Sequence, residues 1–115
     1  MKSIVSEKSF QFALDIIRLY KELKSKNEFV LSKQILRSGT SIGANTEEAV
    51  SAQSRKDFIN KMSIALKEAR ETHYWLRLLN ESKLVETDCS KFLSANEELI
   101  KILSSIIKTS KENPG

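Results

Sequence analysis

Hydrophobic positions recur along this chain at helical spacing, in four blocks separated by short polar stretches. The first block holds Phe10, Phe12, Ala13, Leu14, Ile16, Ile17, Leu19, Tyr20 and Leu23. That face is wider than a narrow two-residue seam, and Arg18, Lys21, Glu22 and Lys24 fall mostly opposite it. The block predicts a helix over about 6–25, ended by Ser25-Lys26-Asn27. In the second block Leu31, Ile35, Ser38, Ile42, Asn45, Ala49 and Ala52 alternate steps of four and three, a heptad seam. It predicts a helix over about 28–53. Gly39 and Gly43 weaken it by about 1 kcal/mol each relative to alanine. The seam stays in phase across both glycines, so the expectation is one continuous helix.

The third block opens on Ser54-Arg55-Lys56-Asp57, a serine cap followed by an acidic residue at the third helical position. Its seam is Phe58, Met62, Ala65, Ala69, Thr72, Leu76 and Leu79, and the predicted helix covers about 55–80. The fourth block carries two stripes, Phe92, Ala95, Leu99, Ile102, Ile106 and Leu93, Ile100, Leu103, Ile107. It predicts a helix over about 88–108, capped by Thr87, with residues 109–115 frayed. Four such helices with short links give an all-α fold, an antiparallel up-down-up-down four-helix bundle, as one domain over 1–115. The first and last helices carry more apolar width than a monomeric bundle uses, which predicts a homo-oligomer.

Composition agrees with this picture. Three glycines and one proline are too few for a turn-rich β fold. No apolar run is long enough to span a membrane. Residues 1–7 reach an acid early and lack the apolar stretch of a signal peptide. The lone cysteine, Cys89, fits a reducing cytoplasm and reads as a small buried apolar residue. The expected location is therefore cytoplasmic. The net charge is +4 and uneven. Residues 1–27 carry six Lys/Arg against three Asp/Glu, 28–80 eight against six, and 81–115 five against six.

Candidate chemistry is narrow. A carboxylate-bridged dimetal bundle needs Glu-x-x-His pairs, yet Arg70 stands three residues before the only histidine, His73. No nucleophile elbow accompanies that histidine. Gly39-Thr40-Ser41-Ile42-Gly43 lacks the Gly-Lys-Ser/Thr ending of a phosphate loop and lies inside a helical seam. No enzyme, cofactor or metal is expected. Two polar groupings remain. Arg37, Ser41, Asn45, Glu48 and Glu68 read either as an internal hydrogen-bond network or as a polar pocket. Arg18, Lys21, Lys24, Arg55, Lys56, Lys61, Lys67 and Arg70 read either as a solvated charged face or as a phosphate-binding surface.

The run Ser38-Gly39-Thr40-Ser41-Ile42-Gly43-Ala44-Asn45, then Asp57-Phe58 and Ile64-Ala65-Leu66-Lys67-Glu68-Ala69, resembles a bacterial four-helix-bundle family. Its members are encoded within intervening sequences of 23S ribosomal RNA genes. The family is similar to the accessory variability determinant of diversity-generating retroelements. The Arg37-x-x-x-Ser41-Ile42-x-x-Asn45 spacing and the run Tyr74-Trp75-Leu76 carry the likeness further, which covers about residues 6–108. The resemblance implies a ring-shaped homopentamer, no enzymatic activity, and binding of RNA or DNA and of a protein such as a reverse transcriptase. The leading expectation is thus a non-enzymatic oligomeric bundle that binds nucleic acid, most simply RNA, through a basic surface. The alternative is a protein–protein scaffold with no nucleic-acid role.

Overall fold

The computed structural model describes residues 3–112. Four α-helices run in order: α1 (Ile4–Ser25), α2 (Leu31–Val50), α3 (Arg55–Ser82) and α4 (Ser90–Glu112). Each packs on the next, and α1 also packs on α4, closing an up-down bundle of 50 × 21 × 21 Å. Among the described residues no helix is long and apolar enough to cross a membrane.

The caps explain most boundaries. α1 starts at Ile4, two residues before the predicted start, because the Ser3 hydroxyl accepts the Ser6 N–H at 3.1 Å. α2 is shorter than the predicted 28–53. Glu28 folds back so that its carboxylate accepts the Leu31 and Ser32 N–H groups at 2.9 and 2.7 Å, which keeps residues 28–30 outside the helix. The Ser54 hydroxyl caps α3 at the Asp57 N–H, at 3.0 Å. α3 ends where Lys83 turns left-handed at φ 58°. Thr87, the predicted cap of α4, instead donates to Glu22 at 2.9 Å. Asp88 takes that place by accepting the Ser90 N–H at 3.0 Å. α4 then continues through Glu112, past the predicted end at 108, so residues 109–112 are helical rather than frayed. Residues 113–115 lie outside the described residues.

The core is Val5, Phe12, Ile16, Leu19 and Leu23 of α1, Ile35, Ile42 and Ala49 of α2, Met62, Ala65, Ala69, Leu76 and Leu79 of α3, and Leu99, Leu103 and Ile107 of α4, with Cys89 beside α4. Two expected seams shift. Asn45 is only half-buried, and Thr46 takes the fully buried position. A straight helix turns every 3.6 residues, so a strict heptad drifts off the core-facing line after a few turns. On α4 the buried line runs Asn96, Leu99, Leu103, Ile107, between the two predicted stripes. α2 is continuous through Gly39 and Gly43. Both glycines are buried against α1, where Ile16 and Ser9 pack onto them.

Candidate functional site

The predicted basic residues do not form one surface. Arg18, Lys21 and Lys24 lie on α1, and Arg55, Lys56, Lys61, Lys67 and Arg70 lie on α3. α1 and α3 are diagonal in the bundle, each packing on α2 and α4 instead. The two groups therefore point away from each other. Several of these charges are also engaged. Arg18 pairs with Asp15 at 3.0 Å, and the Lys24 ammonium sits 5.2 Å from the Tyr20 ring centre. Arg55 donates to the Ser110 carbonyl at 3.0 Å. Lys61 pairs with Glu48 of α2 at 3.0 Å, and that hydrogen bond raises its pKa. Lys21, Lys56, Lys67 and Arg70 are exposed and make no ion pair among the described residues. The last three lie on α3.

The five polar candidates separate into three groups. Arg37 reaches across from α2 to α3, where its guanidinium meets Glu68 at 3.4 Å and also Glu71. The same Glu71 oxygen accepts the Trp75 indole N–H at 3.0 Å. One turn deeper, the Thr72 hydroxyl lies 2.8 Å from that of Ser38, both fully buried. Ser41 and Asn45 bond only within their own helix, to the Arg37 and Ser41 carbonyls. Glu48 belongs to Lys61. The spacing thus identified the α2–α3 strut but grouped with it Ser41 and Asn45, which bond within α2, and Glu48, which makes a separate α2–α3 pair with Lys61.

Among the described residues no catalytic constellation converges. His73 meets Glu97 at 3.1 Å on the α3–α4 surface, and Glu97 lines an open depression there with Glu98 and Lys101. Among the described residues no cluster of His, Cys, Asp or Glu has the geometry to hold a metal ion. Cys89 is fully buried, and burial pushes its thiol up to about 11.

The conspicuous surface features are apolar. Phe10, Ala13 and Ile17 of α1 and Thr40, Gly43, Ala44 and Glu47 of α2 line an open groove of about 280 Å³. Phe10 is 64% exposed and Ile17 41%. Ile4 and Val50, also exposed, belong to the same pair of helices near the start of α1 and the end of α2. A second feature stands on α3, where Tyr74, Arg77, Leu78 and Glu81 line a shallow depression. The sequence signal for the first groove was the excess apolar width of α1. The second had no periodic signal, because Tyr74 and Leu78 sit on a face that is otherwise charged. Sequence reasoning also missed several buried polar side chains, Glu28 and Asn96 among them. Asn96 was legible in principle, since it is in phase with Leu99 and Leu103.

Comparison with known proteins places these features in a family. A crystal structure of a protein of unknown function from the S23 ribosomal protein family of Bacteroides thetaiotaomicron VPI-5482 is 54% identical. It covers 91% of this chain and 99% of its own, with a TM-score of 0.86. No functionally curated protein matches. Residues 1–105 match the family described as 23S rRNA-intervening sequence protein. With that match spanning nearly the whole chain, this protein belongs to the 23S rRNA-intervening sequence protein family.

Proposed function

We propose that this chain is a non-enzymatic assembly subunit that associates with copies of itself through its apolar surface strips. The carrying observation is the α1–α2 groove, where Phe10 and Ile17 stand exposed beside Gly43 and Ala44. Large side chains next to small ones give a knob and a hollow for a facing helix. Exposed apolar surface of this kind is costly to leave in water and usually marks an interface. Tyr74 and Leu78 provide a second strip on a different helix. Two unlike strips suit a head-to-tail contact, which closes into a ring when the rotation between subunits allows it. Sedimentation velocity tests the reading. The expected result is a species several times the 13.1 kDa chain mass that dissociates in a Phe10→Asp/Ile17→Asp variant. A stable monomer at micromolar concentration overturns it.

A second reading, RNA binding, is favoured by Lys67 and Arg70, unpaired and exposed on α3 within two turns of the exposed Tyr74, with Lys56 about 27 Å from that residue along the axis, near the helix start. Repetition of such a helix around an oligomer would add its charges into one phosphate-binding track. A mobility-shift titration across a salt series tests it. Affinity is expected to fall steeply with salt and to weaken in Lys67→Glu/Arg70→Glu. Absence of any shift at low salt leaves the assembly as a protein scaffold.

A further inference from the structure

Asn96 is fully buried in the α4 face of the core. Its Nδ2 donates across the helix pair to the Ala69 carbonyl of α3 at 3.0 Å. Its Oδ1 has no hydrogen-bond partner among the described residues. A buried acceptor left unpaired is costly, and an apolar side chain of similar volume would avoid that cost. The surroundings show what the amide supplies in return. Along the buried line of α4 the other members are Leu99, Leu103 and Ile107. Phe92, Leu93, Ile100, Ile102 and Ile106 flank that line, half-buried against the core. On α3 the residue that Asn96 meets is Ala69, and Ala65, one turn before, is also fully buried. Aliphatic residues on a small-residue face pack nearly as well after a slip or a rotation. A shift of one heptad, about 10 Å along the axis, would exchange Asn96 for Leu103 and leave the remaining contacts aliphatic. Rotation of α4 would exchange one stripe for the other.

We propose that Asn96 is the register lock of the α3–α4 pair. In the native register one end of the amide is satisfied by Ala69. In a slipped or rotated register the whole amide is buried without a partner or is dragged to the surface, so the competing arrangements are penalised more than the native one. A single polar residue in an otherwise apolar seam fixes coiled-coil register by the same physics.

The test is Asn96→Leu, studied by thermal melting and by two-dimensional NMR of the full chain. The lock predicts a Tm higher by several degrees together with doubled or broadened α4 amide signals. It also predicts that the contacts between residue 96 and the backbone of α3 at Ala69 weaken. A single sharp set of signals with the native Ala69 contacts overturns the proposal, whatever happens to Tm. Should that variant fail to fold, the native protein supplies a second reading. The two Asn96 side-chain amide protons are expected to be resolved and strongly protected from solvent exchange. Exchange at the rate of the exposed Asn60 would show that the amide is not locked and would equally overturn it. The swap Asn96→Leu/Leu103→Asn is expected to regain one set of signals with new α3 contacts. Retention of the native contacts in the swap counts against the lock.

Discussion

Gly39 of α2 lies directly beneath Ile16 of α1: a Cβ added there would stand 2.9 Å from Ile16 Cγ2 and 3.0 Å from Cγ1. Ile16 is completely buried and β-branched, so it cannot swing aside. The glycine is therefore what lets the two helices approach at this level. Gly39→Ala is expected to destabilise the bundle by about 1–3 kcal/mol through overpacking, despite a gain of about 1 kcal/mol in helix propensity. Urea denaturation checks it. In an Ile16→Ala background the penalty should shrink, because the clashing atoms are gone.

Gly43 behaves differently. Its added Cβ would lie 3.3 Å from the Ser9 carbonyl oxygen, a tight contact rather than a clash. The overpacking cost is then nearly balanced by helix propensity, and Gly43→Ala should stay within about 1 kcal/mol of the native protein. A loss as large as that of Gly39→Ala would mean that α1 cannot yield by a few tenths of an ångström.

These glycines show what the sequence discloses and what it withholds. The four helices were legible because their apolar residues recur with helical period over several turns, and Ser54, three residues before Asp57, marked the start of α3 as a cap. Gly39 and Gly43 read only as weak helix formers. That they are contact points for Ile16 and Ser9 depends on the distance between two helices, which no local pattern encodes. The basic residues illustrate the same limit. Arg18 and Lys67 look alike in a list of charges, yet α1 and α3 sit diagonally and turn them to opposite sides. Asn45, expected in the buried seam, gives up that place to Thr46 because helical drift over several turns outruns a heptad count.

Arg37 joins α2 to α3 through Glu68 and Glu71, and Glu71 also holds the Trp75 indole. The arginine is half-exposed, so the pair is screened, and a double-mutant cycle of Arg37→Ala with Glu71→Ala should give a coupling of about 0.5–1 kcal/mol. The coupling should shrink in high salt. Trp75 is the single tryptophan of the chain, so its fluorescence reports the site directly. Glu71→Ala should shift the emission, whereas Glu68→Ala should leave it nearly unchanged.

The buried Glu28 carboxylate does for α2 what a serine does for α3. Val30, at the formal cap position, offers no side-chain acceptor. Glu28→Ala should cost about 1–2 kcal/mol, the range of a lost cap. Glu28→Gln keeps one acceptor oxygen and should cost less. Equal losses in the two variants, measured by chemical denaturation, would assign the effect to packing instead.

The two sides of the pH profile have different origins. The Thr87 hydroxyl, and after it the Lys26 ammonium, hold the Glu22 carboxyl below its ordinary value of 4.5. Its stabilising contribution is present above that value and is lost as pH falls through the lowered folded-state pKa. Glu22→Gln should flatten the acid limb of the stability curve and, by removing one of the charges that raise the Cys89 thiol, lessen the alkaline slope by a smaller amount. Cys89 governs the other side. Burial, then the charges of Asp88 and Glu22, raise its thiol from 9.0 to about 11. The unfolded chain ionises first, so the thiol's contribution is intact below about pH 9 and is lost as pH rises through about 11. Two measurements check this. Cys89→Ala should lower stability at neutral pH, through the lost sulfur contacts, yet reduce the slope of stability between those values. At pH 8 an aromatic disulfide reagent should leave the native protein unlabelled for as long as it stays folded and react at once in denaturant. Rapid labelling of the native protein would show that the region around Cys89, where the α3–α4 link meets α1, opens on its own, and the alkaline loss would then have a local cause.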